Sequence, residues 1–230
     1  MASLQWALLD ALGMADVTLL IGGSLGGMVA LEVALARPGS VGTVMAIAAP
    51  AATGALALAW DHVQLALVER LGEEGMDLAR RLALTTYRSE ADFDDRFGRD
   101  LEEDGRLSIV SYLAHQGQKL VDRFDPDTYR ALVTAMDAHD IGRDRGGIAE
   151  ALRTLSPGAT ERPTALRGVA IGGDILYGPA QVRALVGAAA EAGLETRYRE
   201  FASRKGHDAF LAEWGVMDDV LRAAVAQAVR

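Results

Sequence analysis

One serine stands between two pairs of glycines in IGGSLGGM, Ile21 to Met28. A serine hydroxyl does nucleophilic chemistry only when a base takes its proton, the chain presents it to substrate, and donors stabilise the charge its attack creates. Gly22, Ser24 and Gly26 match G-x-S-x-G, the nucleophile elbow, in which the serine is strained at a strand-to-helix corner with its hydroxyl exposed. Glycines belong there because a Cβ would collide with the helix or strand crossing close by. The helix beyond the serine turns free N–H groups and a partial positive charge toward the corner, so the backbone N–H of Leu25 is the expected oxyanion donor. The same residues also fit a glycine-rich turn that merely packs tightly or holds a phosphate. A phosphate loop fits less well, because no Gly-Lys-Ser/Thr follows and G-x-G-x-x-G is not met from Gly22.

An elbow serine needs an acid and a histidine, which follow it in that chain order. The sequence has four histidines. His62, His115 and His139 fall in a charged helical stretch and read as hydrogen-bonded structural residues. His207, in SRKGHDAF, lies just past a strand in a loop that opens onto the last helix, where a base must stand to reach the elbow. Asp174 follows the strand Val169 to Ile171, placed to orient the imidazole and stabilise its charged form. Asp140 and Asp144 compete as the acid but read as solvated helix-end charges, and Asp208 adjoins the histidine too closely to bridge to its far ring nitrogen. Ser24, Asp174 and His207 are the expected triad.

Those residues need elements to hold them. Val17 to Ile21 is short, uncharged and aliphatic, which predicts a strand buried on both faces. Leu25 to Ala36 predicts an almost wholly apolar helix, interrupted by Glu32 and closed by Arg37, Pro38 and Gly39. With a helix over Gln5 to Leu12 and a strand over Thr43 to Ala48, this is a β-α-β unit, hence a parallel sheet. From Trp60 to about Leu155 the chain is helical and far more charged, with Asp92, Asp94, Asp95, Arg96 and Arg99 clustered and RFDPDTY marking a break. A strand returns at Val169 to Ile171, then a helix at Gln181 to Ala192, a strand at Thr196 to Phe201 and a final helix from Phe210. The plan is an α/β core over 1–52 and 160–230 with a helical insertion over 53–159.

Composition bounds the partners. At 230 residues and half hydrophobic, the chain can bury a full core. A net charge of −9 without a basic cluster argues against nucleic acid or an anionic membrane. With no cysteine there is no disulfide, thiol catalysis or cysteine metal site, which is compatible with a reducing cytoplasm. Met1 to Asp10 has no basic n-region and carries an early acid, so no signal peptide is expected. Ser40 to Trp60 is uncharged over about a membrane span, but Gly42, Pro50 and Gly54 favour a strand, a turn and a helix start.

IGGSLGGMVALEVAL, YRSEADFDDRFGRD, SYLAHQGQKLVDRFDPDTY, AMDAHDIGR, GGDILYGPAQ and GHDAFL, in that order, resemble the homoserine O-acyltransferase family. The resemblance covers nearly the whole chain but only the C-terminal larger part of a usual member. It implies an α/β-hydrolase fold, a mostly parallel sheet with a helical lid, and transfer of an acetyl group from acetyl-CoA through the serine to the hydroxyl of L-homoserine. That reaction opens methionine biosynthesis in the cytoplasm. It implies no bound cofactor and a homodimer through the lid. The family pattern maps its triad onto Ser24, Asp174 and His207, its homoserine-carboxylate arginine and nearby tyrosine onto Arg80 and Tyr87, and its amine-holding acid onto Asp208. Without the family, Arg80 reads as a surface partner of Glu73 or Glu74, and Tyr87 as a core aromatic. Leu25 and Val29 stand where Met and Gln are common, and related members use succinyl donors or other hydroxy-amino acids, so donor and acceptor stay open. Only one short helix precedes Val17, so the chain is expected to lack the front strands of the fold and to seek a partner along its first strand. A serine hydrolase using water, and a truncated, non-catalytic remnant or interaction module, remain as alternatives.

Overall fold

The computed structural model describes residues 1–228, in the order α1 (Ala2–Ala11), β1 (Val17–Gly23), α2 (Leu25–Ala36), β2 (Val41–Ile47), α3 (Ala55–Leu71), α4 (Glu73–Tyr87), α5 (Glu90–Arg96), α6 (Ser108–Val121), α7 (Pro126–Asp137), α8 (Ile148–Arg153), β3 (Ala165–Gly172), α9 (Pro179–Glu191), β4 (Thr196–Ala202), a 3-10 turn (Gly206–Asp208), α10 (Ala209–Ala212) and α11 (Trp214–Ala228). The strands form one parallel sheet in the order β1-β2-β3-β4. Val44 stands beside Leu20 on one side and Leu166 on the other. Each parallel step requires a crossover. The crossover between β2 and β3 contains α3 to α8.

Two apolar clusters sandwich the sheet. On one face α2 and α9 pack Leu31, Ala34, Leu185 and Ala189 against Val44 and Leu166. On the other, α11 lays Met217, Val220 and Ala224 on Met45, Ile47 and Val169. A third cluster, with Val68, Met76, Leu120 and Val133, binds α3, α4, α6 and α7 to one another. Trp6 pins α1 to α2: its indole N–H donates to Val33 O at 2.9 Å, and the Arg37 guanidinium lies 4.5 Å from its ring centre. The RFDPDTY break is a helix start, where Pro126 sits in the first turn and the Asp125 carboxylate accepts from Thr128 N at 2.8 Å.

Three expectations need correction. Val17 to Ile21 is not buried on both faces: among the described residues β1 pairs only with β2, so it is an edge strand and Ile21 is 40% exposed. The second strand begins at Val41 and stops at Ile47, because Ala48 turns out of the sheet with φ 47°. The final helix is broken at Glu213, whose carboxylate accepts from the Ser203 hydroxyl at 2.8 Å, tying the break to the loop after β4. No helix of the described residues is long and apolar enough to cross a membrane.

Candidate active site

Ser24 stands between β1 and α2 with φ 53° and ψ −125°, a conformation non-glycine residues rarely hold. Such strain costs about 1–3 kcal/mol and persists only where neighbours impose it. Here Ser24 N–H donates to Ile47 O at 2.8 Å, while Ser24 O accepts from Gly27 N at 2.9 Å and Met28 N at 3.1 Å. A Cβ on Gly22 would stand 2.1 Å from the Gly26 carbonyl, and one on Gly27 2.7 Å from the Ala49 methyl. Gly26, by contrast, faces open space. The close-approach glycines are therefore Gly22 and Gly27, although the motif names Gly22 and Gly26. The N–H of Leu25, first in α2, has no backbone acceptor among the described residues and lies beside the Ser24 hydroxyl in sequence.

His207 Nε2 lies 2.9 Å from Ser24 Oγ, and His207 Nδ1 lies 2.8 Å from Asp174 Oδ2. Both the histidine and the aspartate are buried. The other carboxylate oxygen, Asp174 Oδ1, accepts from Leu176 N at 2.8 Å and Tyr177 N at 3.0 Å, which fixes the acid's orientation. Tyr177 and Phe210 meet the imidazole edge to face, each with ring centres 5.5 Å apart. Gly206 has φ 57°, and a Cβ there would stand 2.9 Å from the backbone of Arg88 and Ser89. The histidine's turn is thus seated directly on the end of α4. The three expected residues come together as a continuous hydrogen-bonded line.

The competing acids are engaged elsewhere. Asp140 pairs its backbone with Ala52 and its carboxylate accepts from Gly142 N at 2.9 Å, and Asp144 is exposed. His139 Nε2 meets Pro50 O at 2.9 Å and is buried, which lowers its pKa. Arg80 makes no ion pair with Glu73 or Glu74 among the described residues; its guanidinium lies 5.3 Å from the centre of the Tyr87 ring. Burial raises the Tyr87 phenol pKa, and Arg80 opposes that rise. The Asp208 carboxylate accepts from Arg88 Nε at 3.0 Å, and it is Asp174 that meets the imidazole.

A narrow pocket in front of Ser24 is lined by His207, Trp60, Asp61, Tyr87 and Tyr177. Asp61 and Tyr177 were not singled out from the sequence. A signal existed in α3, whose buried positions are Ala57, Asp61, Gln64 and Val68: polar residues occupy the inward stripe of an amphipathic helix. Gln64 Nε2 donates to Asp61 Oδ1 at 2.8 Å, and the Tyr129 hydroxyl donates to Gln64 Oε1. Burial and the neighbouring Asp137 carboxyl push the Asp61 pKa up to about 7.

A family described by the alpha/beta hydrolase fold matches residues 1–122. Homoserine O-acetyltransferase of Thermus thermophilus is 40% identical over 97% of this chain, which covers 56% of that protein. The crystal structure of homoserine O-acetyltransferase from Staphylococcus aureus is 30% identical with a TM-score of 0.76, over 93% of this chain and 60% of that one. Esterase E22 overlays with a TM-score of 0.85 at 17% identity, over 97% of this chain and 65% of that one, a likeness of fold alone. The chain thus spans a little over half the length of the Thermus relative.

Proposed function

The chain belongs to the α/β-hydrolase fold family, and from that premise we propose that it carries the acyl-transfer site of a homoserine O-acetyltransferase. The observation that carries this reading is the line from Asp174 through His207 to Ser24, opening on a pocket with Tyr87 on its wall and Arg80 behind that ring. In the first half-reaction Ser24 Oγ attacks the thioester carbon of acetyl-CoA and passes its proton to His207 Nε2. The carbonyl oxygen, now charged, accepts from Leu25 N–H. Collapse breaks the C–S bond, His207 returns the proton to the departing thiolate, and acetyl-Ser24 remains. In the second half the L-homoserine hydroxyl attacks that ester, His207 takes its proton, and Ser24 Oγ leaves with it. Asp174 holds the imidazole in one tautomer and stabilises its cationic form throughout.

Arg80 is the group for the acceptor carboxylate, since a guanidinium offers a planar two-bond contact. The resemblance gives the amine to Asp208, whose carboxylate here is shared with Arg88. The same reading carries a cytoplasmic setting in methionine biosynthesis and a homodimer through the lid, where Leu56, Val63, Leu71 and Val110 are exposed. Incubation with acetyl-CoA followed by peptide mass mapping tests the core claim. Acetyl mass on the Ser24 peptide, absent in Ser24→Ala and discharged by L-homoserine faster than by water, is expected. Discharge by water alone would make the chain an esterase instead.

A further inference from the structure

Strand β3 reads ALRGVAIG, with Arg167 its one polar side chain. In the parallel register Arg167 lies beside Met45 of β2 and Arg197 of β4, and Met45 belongs to the cluster under α11, so both arginines rise on that face of the sheet. Arg167 is only 7% exposed. Its Nη1 donates to Gln227 Oε1, but its Nε is buried with no hydrogen-bond partner among the described residues. Burial and the Arg197 charge both press its pKa down, and the Glu195 carboxylate that opposes them sits 3.9 Å from Arg197. A buried charge without a counter-charge is costly, and buried N–H groups are rarely left unpaired, so this corner asks for an anion.

Two hollows adjoin Arg167, and Arg197 and Gln227 line both of them with it. One, of about 260 Å³, has walls of Met45, Val169, Val220 and Ala224. The other, of about 380 Å³, is polar, with Thr18, Thr43 and Arg162 near the amino ends of the strands. Arg162 is already paired with Asp16 at 3.3 Å, which leaves Arg167 and Arg197 as the groups for a head. Ser24 follows the carboxyl end of β1, so the polar hollow opens at the other end of the sheet. We propose that Arg167 and Arg197 form a binding site for an amphiphilic oxyanion, a carboxylate or phosphate head carrying a short apolar chain. The head takes the unpaired Arg167 N–H and the Arg197 guanidinium, and the chain lies along Val220 and Ala224. This site is separate from the acyl-transfer reading and stands or falls without it.

Titration calorimetry on the full chain at one fixed ionic strength tests this with hexanoate, hexyl phosphate, inorganic phosphate and 1-hexanol. At least one of the two chain-bearing anions is expected to bind about 10-fold or more tightly than inorganic phosphate, which has a head without a chain, and than 1-hexanol, which has a chain without a charge. The tighter of the two identifies the head as carboxylate or phosphate. Arg167→Met and, separately, Arg197→Gln should each weaken that anion about 10-fold or more. Arg183→Gln, on α9 across the sheet, should leave it within about 2-fold, which separates a site from a general effect of charge. Should Arg167→Met fail to fold, Arg197→Gln decides, because the Arg197 side chain is 57% exposed and its loss leaves the core intact. No binding of either chain-bearing anion overturns the proposal. So does equal binding of inorganic phosphate or 1-hexanol, or an affinity that Arg197→Gln leaves as unchanged as Arg183→Gln does.

Discussion

Arg80 sits where two demands meet, against the Tyr87 ring and without a carboxylate partner among the described residues. On the proposed acyl-transfer reading, Arg80→Lys should raise the KM for L-homoserine about 10-fold or more while leaving that for acetyl-CoA within about 2-fold, since a charged hydrogen bond is worth about 1.5–3 kcal/mol and lysine cannot reproduce the fork. Equal effects on both substrates, in steady-state kinetics, remove Arg80 from the acceptor site. Asp61 makes a second prediction. Its carboxyl titrates at about 7 in the fold against 3.8 as a free group, so between those values the folded chain holds a proton the unfolded chain has lost. The contribution is fully present below 3.8 and is lost as pH rises through about 7, by up to about 1.4 kcal/mol per pH unit. Asp61→Asn removes that loss, so urea unfolding should show it gaining on the wild type as pH rises from about 4 to about 7; parallel pH profiles over that range would contradict the raised Asp61 pKa. Ser24, Asp174 and His207 were legible in the sequence because each stands at the end of an element that hydrophobic pattern alone reveals. Asp61 and Tyr177 were not, because their meaning lies in neighbours from α3, α7 and the loop after β3, brought together only by folding.

The elements position these residues by close backbone approach, and the two motif glycines separate that requirement. Gly22→Ala drives a Cβ into the backbone of α2 and should prevent stable folding, whereas Gly26→Ala points into open space and should change stability by no more than about 0.5 kcal/mol in denaturant titration. A Gly26→Ala protein that fails to fold would show that the glycine answers to something other than packing. Gly206→Ala tests the seat of the histidine. With φ 57° and the α4 terminus 2.9 Å away, the turn must shift, and on the proposed acyl-transfer reading a displacement of about 1 Å should lower kcat about 100-fold. Circular dichroism should meanwhile stay native; an unchanged kcat would mean the turn tolerates the shift. At this scale the parallel α/β plan and the helical stretch between β2 and β3 were readable from period and charge. The break at Glu213 was not, because it depends on a contact with Ser203 rather than on a local stop signal.

At the scale of the whole fold, β1 has the sequence of an interior strand and, among the described residues, the position of an edge. An unpaired apolar edge favours association with another chain. Ile21→Lys should therefore lower concentration-dependent self-association in light scattering, and an unchanged mass would place the contact elsewhere. The length of the β2 to β3 crossover has another consequence. Thr43 pairs with Ala165 only after that whole helical segment is in place, and Ser24 reaches His207 across 183 positions of sequence. Contacts of such long range are slow to form, because loop-closure entropy is spent before they return any stability. Refolding from urea should accordingly restore helical signal first, in α2 to α7, and serine reactivity last. For a while the chain will have most of its secondary structure and no contact between Ser24 and His207.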